Sequence, residues 1–358
     1  MSSPIKSIEI NEDKMHQFLG KVVGDFGAAL GSSLAYIGQK LGLYKALAEL
    51  GSATPGELAK KTNTKERYIK EWLINQAAGG YVDYDQTKGT YSLAPEQAVA
   101  LTDESSPFYV GGGFFVIKAM TQAVERIEDH FRNGGGMLWG EHHPDLFIGT
   151  ARFFRPGYAT YLTSSWIPSL PGVEEKLNAG ARVADVGCGH GLSTIIMAQK
   201  YPKSKFWAFD THDRSIKSAI ENAKEAGIAD RIEFGVTSAQ TLPDNQYDLI
   251  TFFDCLHDMG DPVGACKRAS EVLAPDGTVL IVEPMAGNNV EENFNPIGRT
   301  FSGASTLCCT SNSLAQNGPA LGAVATEAAI RDTVLAGGLS QFRRATETPF
   351  NRIFEAKK

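Results

Sequence analysis

Residues Val183–Gly191 combine a carboxylate with glycines at alternate positions, a pattern suited to holding a polar ligand close to the backbone. The segment has the sequence Val-Ala-Asp-Val-Gly-Cys-Gly-His-Gly and precedes Leu192–Lys200, whose apolar spacing is helical. Glycine has no Cβ and tolerates unusual dihedral angles, so a ligand can approach such a loop closely. A loop that enters a helix also has free N–H groups to offer. The pattern therefore predicts a ligand-binding turn between a buried strand and a helix.

The order of the glycines distinguishes two kinds of nucleotide-binding turn. A dinucleotide-binding fold uses G-x-G-x-x-G, whose third glycine would fall on Leu192. Here the order is D-x-G-x-G-x-G, which resembles motif I of the class I S-adenosylmethionine (SAM) methyltransferases. The resemblance implies that SAM is bound at Asp185, Gly187, Cys188, Gly189 and Gly191. An NAD-dependent oxidoreductase is the less favoured alternative.

A second acidic residue, Asp210, ends the next predicted strand. A carboxylate at this point can accept charge-assisted hydrogen bonds from both ribose hydroxyls of a nucleoside. A helix N-cap is the alternative role for an aspartate after a strand. The resemblance favours the ribose role, and we place the neighbouring Thr211 in the same cofactor site.

The methyltransferase pattern after the third strand has an acid–Ala pair that contacts the adenine ring. This chain has Ser238 and Ala239 there, so a neutral side chain replaces the acid. Ser238 can still hydrogen-bond the exocyclic amine, and the backbone of Ala239 can hold the ring edge. The resemblance therefore implies an adenine site at these two residues.

The segment Phe253–Asp261 resembles the H-D-W-S-D segment of plant-type O-methyltransferases, with Met259 in place of the tryptophan. The resemblance implies that His257 is the general base and that Glu283 orients it. An imidazole can remove the proton of a hydroxyl acceptor, and a carboxylate on its other nitrogen fixes the tautomer. A capping or core role is the alternative for the histidine. We place Asp254, at the start of this segment, among the cofactor contacts.

One departure from the plant-type pattern bears on the acceptor. Those enzymes carry a second glutamate near the histidine, and the alignment puts Val324 in its place. A softer acceptor that needs less help from a base, such as a thiol, therefore stays open beside an oxygen acceptor. Because direct methyl transfer needs no protein nucleophile, we interpret Cys255 as a packed strand-end residue.

Composition restricts the class of protein. The chain has 358 residues, enough for two domains with separate cores, and 42% of them are hydrophobic. Its formal net charge of −7 disfavours a mainly electrostatic nucleic-acid binder. The five cysteines, with an adjacent pair at Cys308 and Cys309, suggest a reducing interior and no metal site. No signal segment or apolar membrane span is evident, so we expect a cytoplasmic protein.

Residues 1–107 are predicted to form a mainly helical domain that ends in a β-hairpin, an order that resembles a winged-helix module. Its presumed recognition helix mixes basic and acidic side chains over residues 65–71. A mixed-sign surface is more typical of a packing or solvated face than of a phosphate-binding one. We therefore expect the module to serve dimerisation rather than DNA binding.

Residues 108–172 are rich in glycine and aromatic side chains, which predicts a helical linker that helps to roof a substrate pocket. The aromatic residues concerned are Trp139, Phe153, Phe154, Tyr158, Tyr161 and Trp166. Interdomain core is the alternative for each of them. The adjacent His142 and His143 poorly suit one metal, and we expect both at the surface.

Residues 173–358 alternate strand and helix patterns. The predicted strands are Arg182–Val186, Lys205–Phe209, Ile232–Val236, Tyr247–Phe253, Thr278–Val282, Gln341–Arg344 and Asn351–Ala356. The alternation predicts an α/β fold with a Rossmann-like, doubly wound sheet, whose ligands bind at the carboxyl ends of the strands. An insert at 288–322 is predicted to cap the acceptor side.

The resemblance implies a SAM-dependent methyltransferase that acts on an oxygen or sulfur of a small acceptor and releases S-adenosylhomocysteine. It also implies a homodimer formed through the N-terminal domain. A thiol S-methyltransferase with little base assistance is one alternative. A SAM-responsive winged-helix regulator, which binds DNA without turnover, is the other.

Overall fold

The computed structural model describes residues 10–358. The chain divides into two compact units, with the boundary between Phe114 and Phe115. Residues 1–9, on which the expectation of no signal segment partly depends, lie outside the described residues. The predicted domain boundaries at residues 107 and 172 stay predictions.

The first unit is mainly helical. It contains α1 (Glu12–Lys40), α2 (Leu43–Leu50), α3 (Pro55–Thr62), α4 (Glu66–Ala78), the hairpin strands β1 (Asp83–Asp85) and β2 (Thr90–Ser92), and α5 (Pro95–Thr102). Helices α1 and α2 are separate because Gly42 between them adopts a left-handed φ of 67°. Apolar side chains from all of these helices form one core, which includes Leu47, Leu58 and Leu73. The mainly helical winged-helix architecture is confirmed.

The second unit begins within α6, whose first three residues belong to the first unit, and it continues through further helices into a sheet. Its helices are α6 (Gly112–Thr121), α7 (Val124–Asn133), α8 (Asp145–Gly157), α9 (Val173–Ala179), α10 (Leu192–Lys200), α11 (Asp213–Glu225), α12 (Pro262–Val272), α13 (Pro296–Ala304), α14 (Thr310–Ala315) and α15 (Glu327–Ala336). Its strands are β3 (Arg182–Val186), β4 (Lys205–Asp210), β5 (Ile232–Val236), β6 (Tyr247–Phe253), β7 (Leu273–Pro284), β8 (Gln341–Glu347) and β9 (Asn351–Lys357).

The seven strands have the order β5-β4-β3-β6-β7-β9-β8, in which β9 is antiparallel to both of its neighbours. The remaining pairs are parallel. The predicted Rossmann-like α/β sheet is thus confirmed. Four strands are longer than predicted: β4, β8 and β9 extend at their carboxyl ends, and β7 extends at both ends. Strand β7 begins at Leu273, because that residue pairs with Tyr247 across an irregularity in the register.

Alternate residues of the central strands enter two different cores. Val183 and Leu249 pack on one face with Ile195 of α10. Ala184 and Ile250 pack on the other face with helices α12 and α15. A parallel sheet covered on both faces is apolar throughout its strands, which explains the continuous hydrophobic runs of the sequence. The carboxyl ends of β3, β4 and β6 remain as the edge at which polar residues collect.

Among the helices within residues 10–358, none combines the length and the apolar character needed to cross a membrane.

Candidate active site

A cavity of about 570 Å³ lies at the carboxyl ends of β3, β4, β5 and β6. Its volume is within the range of roughly 300–1,000 Å³ found for small-molecule sites. Eight of the predicted site residues line it: Gly187, Cys188, Gly189, Asp210, Thr211, Ser238, Ala239 and Asp254. The other four, Asp185, Gly191, His257 and Glu283, are not part of its wall.

The glycine loop is shaped by close contacts on both sides. Gly187 has a φ of 74°, and a Cβ added there would lie 2.8 Å from Sγ of Cys255. Gly191 also has a φ of 74°, and its added Cβ would lie 2.9 Å from Cβ of Ala219 in α11. Both positions therefore require glycine for conformation and for space.

The backbone N–H groups of this loop are used within the protein. Those of Gly187 and Cys188 donate to the carbonyl of Phe209 at 2.8 and 3.0 Å, and that of Gly191 donates to the carbonyl of Cys188 at 2.8 Å. The expectation that the loop points free N–H groups at a ligand is thus wrong for these three residues. These amides hold the loop against β4. A ligand can still approach the loop closely, because its glycines have no side chains.

Asp185 is fully buried behind the loop. Its carboxylate accepts hydrogen bonds from the hydroxyls of Ser193 at 2.6 Å, Thr194 at 2.5 Å and Thr251 at 3.0 Å. Burial raises the pKa of this carboxyl, although the three hydroxyls oppose that shift. Asp185 therefore joins β3 to the first turn of α10 and to β6, and it positions the loop without lining the cavity.

Asp210 lies at the end of β4 and faces both the loop and the cavity. Its Oδ2 accepts the N–H of Gly189 at 2.9 Å, and its Oδ1 accepts the N–H of His212 at 2.8 Å. Burial raises the pKa of the Asp210 carboxyl, while these two amides lower it. Each oxygen retains a further lone pair, which a ribose hydroxyl could engage.

Aromatic rings form another wall of the cavity. The rings of Phe147 and His212 lie 4.5 Å apart with an interplanar angle of 34°, and both line the cavity. Of the aromatic residues predicted to roof the pocket, the ones in the wall are Trp139, Phe154 and Tyr158. Trp166 is fully buried in the core instead. The contribution of His212 was missed, although its position two residues after Asp210 was a signal for it.

The predicted surface position of one nearby histidine is wrong. His142 is 4% exposed, because the turn Trp139–Glu141 folds it inward. Burial, together with the charge of Arg126, lowers the pKa of its imidazole.

Asp254 follows β6 in a left-handed conformation with a φ of 51°. The hydroxyl of Tyr158 donates to its Oδ2 at 3.0 Å, and Nδ2 of Asn351 donates to its Oδ1 at 2.7 Å. Burial and the nearby charge of Glu283 raise the pKa of Asp254 to about 8. A left-handed aspartate of this kind is held by its surroundings, which is common at functional sites.

His257 and Glu283 form a buried pair. Nδ1 of His257 lies 2.6 Å from Oε2 of Glu283, and the side chains are 4% and 1% exposed. Burial alone would lower the pKa of His257, but Glu283 and Cys309 raise it well above the ordinary histidine value. The pairing expected from the resemblance is present in the structure. The cavity wall at this point is made by Asp258 and Met259, however, so the imidazole lies behind it.

The insert 288–322 packs against the segment that carries His257. Nδ2 of Asn312 donates to the carbonyl of Asp258 at 2.9 Å, and Oγ of Ser313 donates to the carbonyl of Met259 at 2.8 Å. Asn312 also lines the cavity. Val324, in the place of the second glutamate, packs in an apolar cluster with Cys309.

Two family profiles match the chain. One is described as a methyltransferase domain and matches residues 177–327; the other is an Rv2258c-like winged HTH domain and matches residues 28–103. The methyltransferase profile includes β3 to β7 and the cavity residues that follow these strands. The winged HTH profile includes α2 to α5 and the hairpin.

Curated relatives match part of the chain. The chain is 28% identical over 179 residues to 27-O-demethylrifamycin SV methyltransferase of Amycolatopsis mediterranei, covering 48% of this chain and 64% of the relative. It is 32% identical over 123 residues to a ubiquinone biosynthesis O-methyltransferase of Leptothrix cholodnii, covering 34% of this chain and 49% of the relative. The chain thus spans less than two thirds of the length of either relative.

Solved structures resemble the chain over nearly its whole length. Human N-acetylserotonin methyltransferase, solved with SAM, superposes with a TM-score of 0.70 and 16% identity over 99% of both chains. An O-methyltransferase family protein from Burkholderia thailandensis gives a TM-score of 0.65 and 15% identity over 98% of this chain and 99% of that one. At these identities the likeness concerns the fold. The two profiles show that the chain carries a methyltransferase domain and an N-terminal winged-helix domain.

Proposed function

We propose that this protein transfers the methyl group of SAM to an oxygen or sulfur of a small-molecule acceptor. The observation that carries the proposal is the cavity at the carboxyl ends of the strands, in which the glycine loop, Asp210 and Asp254 converge. In this arrangement SAM lies along the loop, and the acceptor enters beneath the insert 288–322. S-adenosylhomocysteine is the second product.

The cofactor contacts follow from the placement of the polar groups. Asp210 accepts the ribose hydroxyls, and the adenine ring lies between the aromatic wall and Ser238–Ala239. Asp254 faces the cationic end of the cofactor, because a positive charge bound beside this carboxyl would lower its raised pKa and favour the ionised form. Asp185 and Gly191 act through the shape of the loop, because neither lines the cavity.

Methyl transfer from a sulfonium is an in-line displacement, so the acceptor atom must lie close to the methyl carbon and be aligned with it. We assign the general-base role to His257, oriented by Glu283, with the acceptor proton as its target. General bases of this kind contribute about 10²–10⁴-fold to rate.

A thiol acceptor is the second candidate, and two observations favour it. Val324 supplies no carboxylate where the plant-type pattern has its second glutamate, and it packs in an apolar cluster. The imidazole of His257 also lies behind the cavity wall rather than in it. A thiol ionises more readily than a hydroxyl, so it needs less help from a second carboxylate or from the imidazole of His257.

A DNA-binding regulator is the less favoured alternative. In α4, Arg67 pairs with Glu71 at 2.5 Å, which reduces the positive charge that this helix can direct at phosphate. Sequence-specific retention of DNA in a gel-shift assay, changed by SAM, would support the regulator instead.

We further propose that the protein is a homodimer and is cytoplasmic. Helix α1 carries an exposed apolar stripe, formed by Phe18, Leu19, Val23, Phe26 and Leu30. These residues recur at helical spacing, and a second copy of the chain would cover them. All five cysteines are free thiols in the structure, which suits a reducing compartment.

The proposed reaction is tested in two steps. Calorimetric titration with SAM and S-adenosylhomocysteine should show binding of both ligands. A panel of phenols, thiols and carboxylic acids should then reveal an acceptor by release of S-adenosylhomocysteine. Failure of both ligands to bind to folded protein would refute the proposal.

A further inference from the structure

The wall of the cavity has acidic side chains and lacks strongly basic ones. Its acids are Glu141, Asp210, Asp254 and Asp258, and no lysine or arginine is among the described residues that line it. We infer that the acceptor carries no anionic group, and that a positively charged nitrogen on the acceptor favours its binding. The inference rests on the proposed function, because it defines the class of acceptor for that same cavity.

Arg126 is committed to one of these acids. Its Nη2 donates to both carboxylate oxygens of Glu141, at 2.9 and 2.8 Å. The backbone N–H of Leu138 donates to the same carboxylate at 2.7 Å. Arg126 is not part of the cavity wall, so it balances the charge of Glu141 from outside and presents no cation to a ligand in the cavity.

Two histidines line the cavity, and both lie beside Asp210. His190 belongs to the glycine loop, and burial lowers the pKa of its imidazole, which favours the neutral ring. The ring of His212 packs against Phe147, and its Nδ1 lies 2.9 Å from Oγ of Ser215. Under the proposed function the nucleoside of SAM covers this part of the wall, so neither ring is left to bind an anionic acceptor.

Asp258 is the acid that remains without a cationic partner. It is half-buried in the wall beside the insert, where Nδ2 of Asn312 donates to its backbone carbonyl at 2.9 Å. The adjacent His257 is already paired, since its Nδ1 lies 2.6 Å from Oε2 of Glu283. Burial raises the pKa of the Asp258 carboxyl well above its ordinary value, and His257 only partly opposes this shift. A cation bound beside Asp258 would favour its ionised form, whereas an anion would add to the repulsion.

Aromatic rings supply much of the remaining wall, among them Trp139, Phe154 and Tyr158. The face of an aromatic ring is negative, so it attracts an ammonium group and not a carboxylate. The hydroxyl of Tyr158 donates to Asp254 at 3.0 Å and is therefore committed. A carboxylate moved from water to this wall would lose its hydration and gain no basic partner, which is strongly unfavourable.

SAM itself fits this distribution of charge. Its sulfonium and its ammonium are positive, and its carboxylate lies beside the ammonium on the same carbon. The carboxylate of an acceptor would have no such partner within its own molecule. The cofactor therefore adds positive charge to an acidic cavity and supplies no separate site for a second anion.

The charged nitrogen of the acceptor stays outside the reaction. The proton of the acceptor O–H or S–H passes to His257, and the electron pair left behind bonds the methyl carbon of SAM. The bond from that carbon to sulfur breaks, and both of its electrons stay on the sulfur of S-adenosylhomocysteine. An ammonium nitrogen has no lone pair, so it is not methylated while it is protonated.

The test compares acceptors that differ in one charged group. Tyramine, para-ethylphenol and para-hydroxyphenylacetate form a phenol series with a positive, a neutral and a negative side group. Cysteamine, propanethiol and mercaptoacetate form the matching thiol series. Calorimetry on the full chain loaded with S-adenosylhomocysteine gives the Kd of each probe, and release of S-adenosylhomocysteine from SAM gives its turnover. Within a series, the positive member should bind about 10–100-fold more tightly than the negative one.

Replacing Asp258 by Asn keeps the shape of the side chain and removes its charge. The ratio of the two Kd values should then fall toward one, and an unchanged ratio would overturn the role given to Asp258. Asp213→Asn is the matched control, because it removes the same charge at the exposed start of α11, outside the cavity wall. The ratio in this control should equal that of the wild type. Binding of S-adenosylhomocysteine to Asp258→Asn checks that this variant is folded.

Two results would overturn the acceptor class: equal or tighter binding of the negative members, or failure of both amines to bind to protein that binds S-adenosylhomocysteine. Turnover keeps the two proposals apart. If SAM binds and the negative members are methylated as fast as the amines, the acceptor class fails and the methyltransferase proposal stands. If neither SAM nor S-adenosylhomocysteine binds to folded protein, the methyltransferase proposal fails, and the acceptor class fails with it.

Discussion

Oε2 of Glu283 lies 2.6 Å from Nδ1 of His257, and Oε1 of the same carboxylate accepts the backbone N–H of His257 at 3.3 Å. One carboxylate on β7 thus holds both the ring and the backbone of the histidine that follows β6. Two contacts to one residue fix the orientation of the imidazole and the nitrogen that carries the proton.

Replacing Glu283 by Gln should therefore lower turnover without abolishing cofactor binding. An amide keeps the shape of the side chain but lacks the charge that stabilises the imidazole, and we expect a loss of about 10–100-fold in kcat. The rate of S-adenosylhomocysteine release measures this, and calorimetry should show SAM affinity within about twofold of wild type. Glu347→Gln on β8, whose carboxylate pairs with Arg344, is the control. Unchanged turnover in Glu283→Gln would remove the positioning role.

Replacing Asp210 by Ala should weaken SAM binding. The variant loses the acceptors of the Gly189 and His212 amides as well as the proposed ribose contacts. Hydrogen bonds to a charged group are each worth about 1.5–3 kcal/mol, so the Kd for SAM should rise at least about tenfold. Asp213→Ala is a matched control, since that carboxylate lies at the exposed start of α11 and pairs with Lys217. Equal affinity in Asp210→Ala and wild type would contradict the ribose assignment.

Two alanine variants in the glycine loop should distinguish the cost of backbone strain from the cost of steric overlap in the free energy of unfolding. Gly191→Ala combines a left-handed φ with a Cβ only 2.9 Å from Ala219, whereas Gly189→Ala has a φ of 53° and open space around the added Cβ. We expect Gly189→Ala to cost about 1 kcal/mol of unfolding free energy, and Gly191→Ala about 2–4 kcal/mol. Denaturant unfolding monitored by fluorescence measures both. Equal losses would show that Ala219 gives way easily.

Asp254 should make stability fall as pH rises. Burial and the charge of Glu283 raise its pKa from 3.8 to about 8, although His257, Tyr158 and Asn351 oppose the shift. A carboxyl whose pKa is raised by folding contributes stability in full below pH 3.8 and loses it as pH rises through about 8. Relative to Asp254→Asn, which stays neutral, the wild type should lose on the order of 6 kcal/mol of unfolding free energy across that window. Parallel pH profiles of the two proteins would contradict this.

The apolar stripe on α1 should determine the oligomeric state. Phe18 and Phe26 are 62% and 64% exposed, so replacing both by Ser removes apolar surface without opening a cavity in the core. We expect sedimentation equilibrium to give the mass of a dimer for the wild type and of a monomer for the double variant. Tyr68→Ser, at a residue that is 79% exposed on α4, is the control and should leave the dimer intact. A monomeric wild type would refute the proposed dimer.

Much of the fold could be predicted from the sequence, because both faces of the parallel sheet are buried and the strands are apolar runs that end in polar residues. The start of β7 was the exception, since Leu273 joins the sheet only through its pairing with Tyr247. The cavity positions of Asp210 and Ser238 were predictable for the same reason, since Asp210 ends β4 and Ser238 lies two residues beyond β5.

Features that depend on packing between distant segments could not be predicted. The placement of Cys309 beside His257 depends on how the insert folds, and neither local periodicity nor spacing determines this. The internal use of the loop amides depends on the carbonyl of Phe209, a residue on the neighbouring strand. Whether an aromatic residue of the linker reached the cavity, as Tyr158 does, or the core, as Trp166 does, was likewise decided by tertiary packing.

Asn312 and Ser313 donate hydrogen bonds to the carbonyls of Asp258 and Met259. These bonds link the insert 288–322 to the segment that carries His257. Any outward movement of the insert 288–322 must either break these two hydrogen bonds or displace the backbone of residues 258–259 with it. Under the proposed function the acceptor would enter beneath this insert, so its entry would either cost these two hydrogen bonds or shift the backbone next to His257.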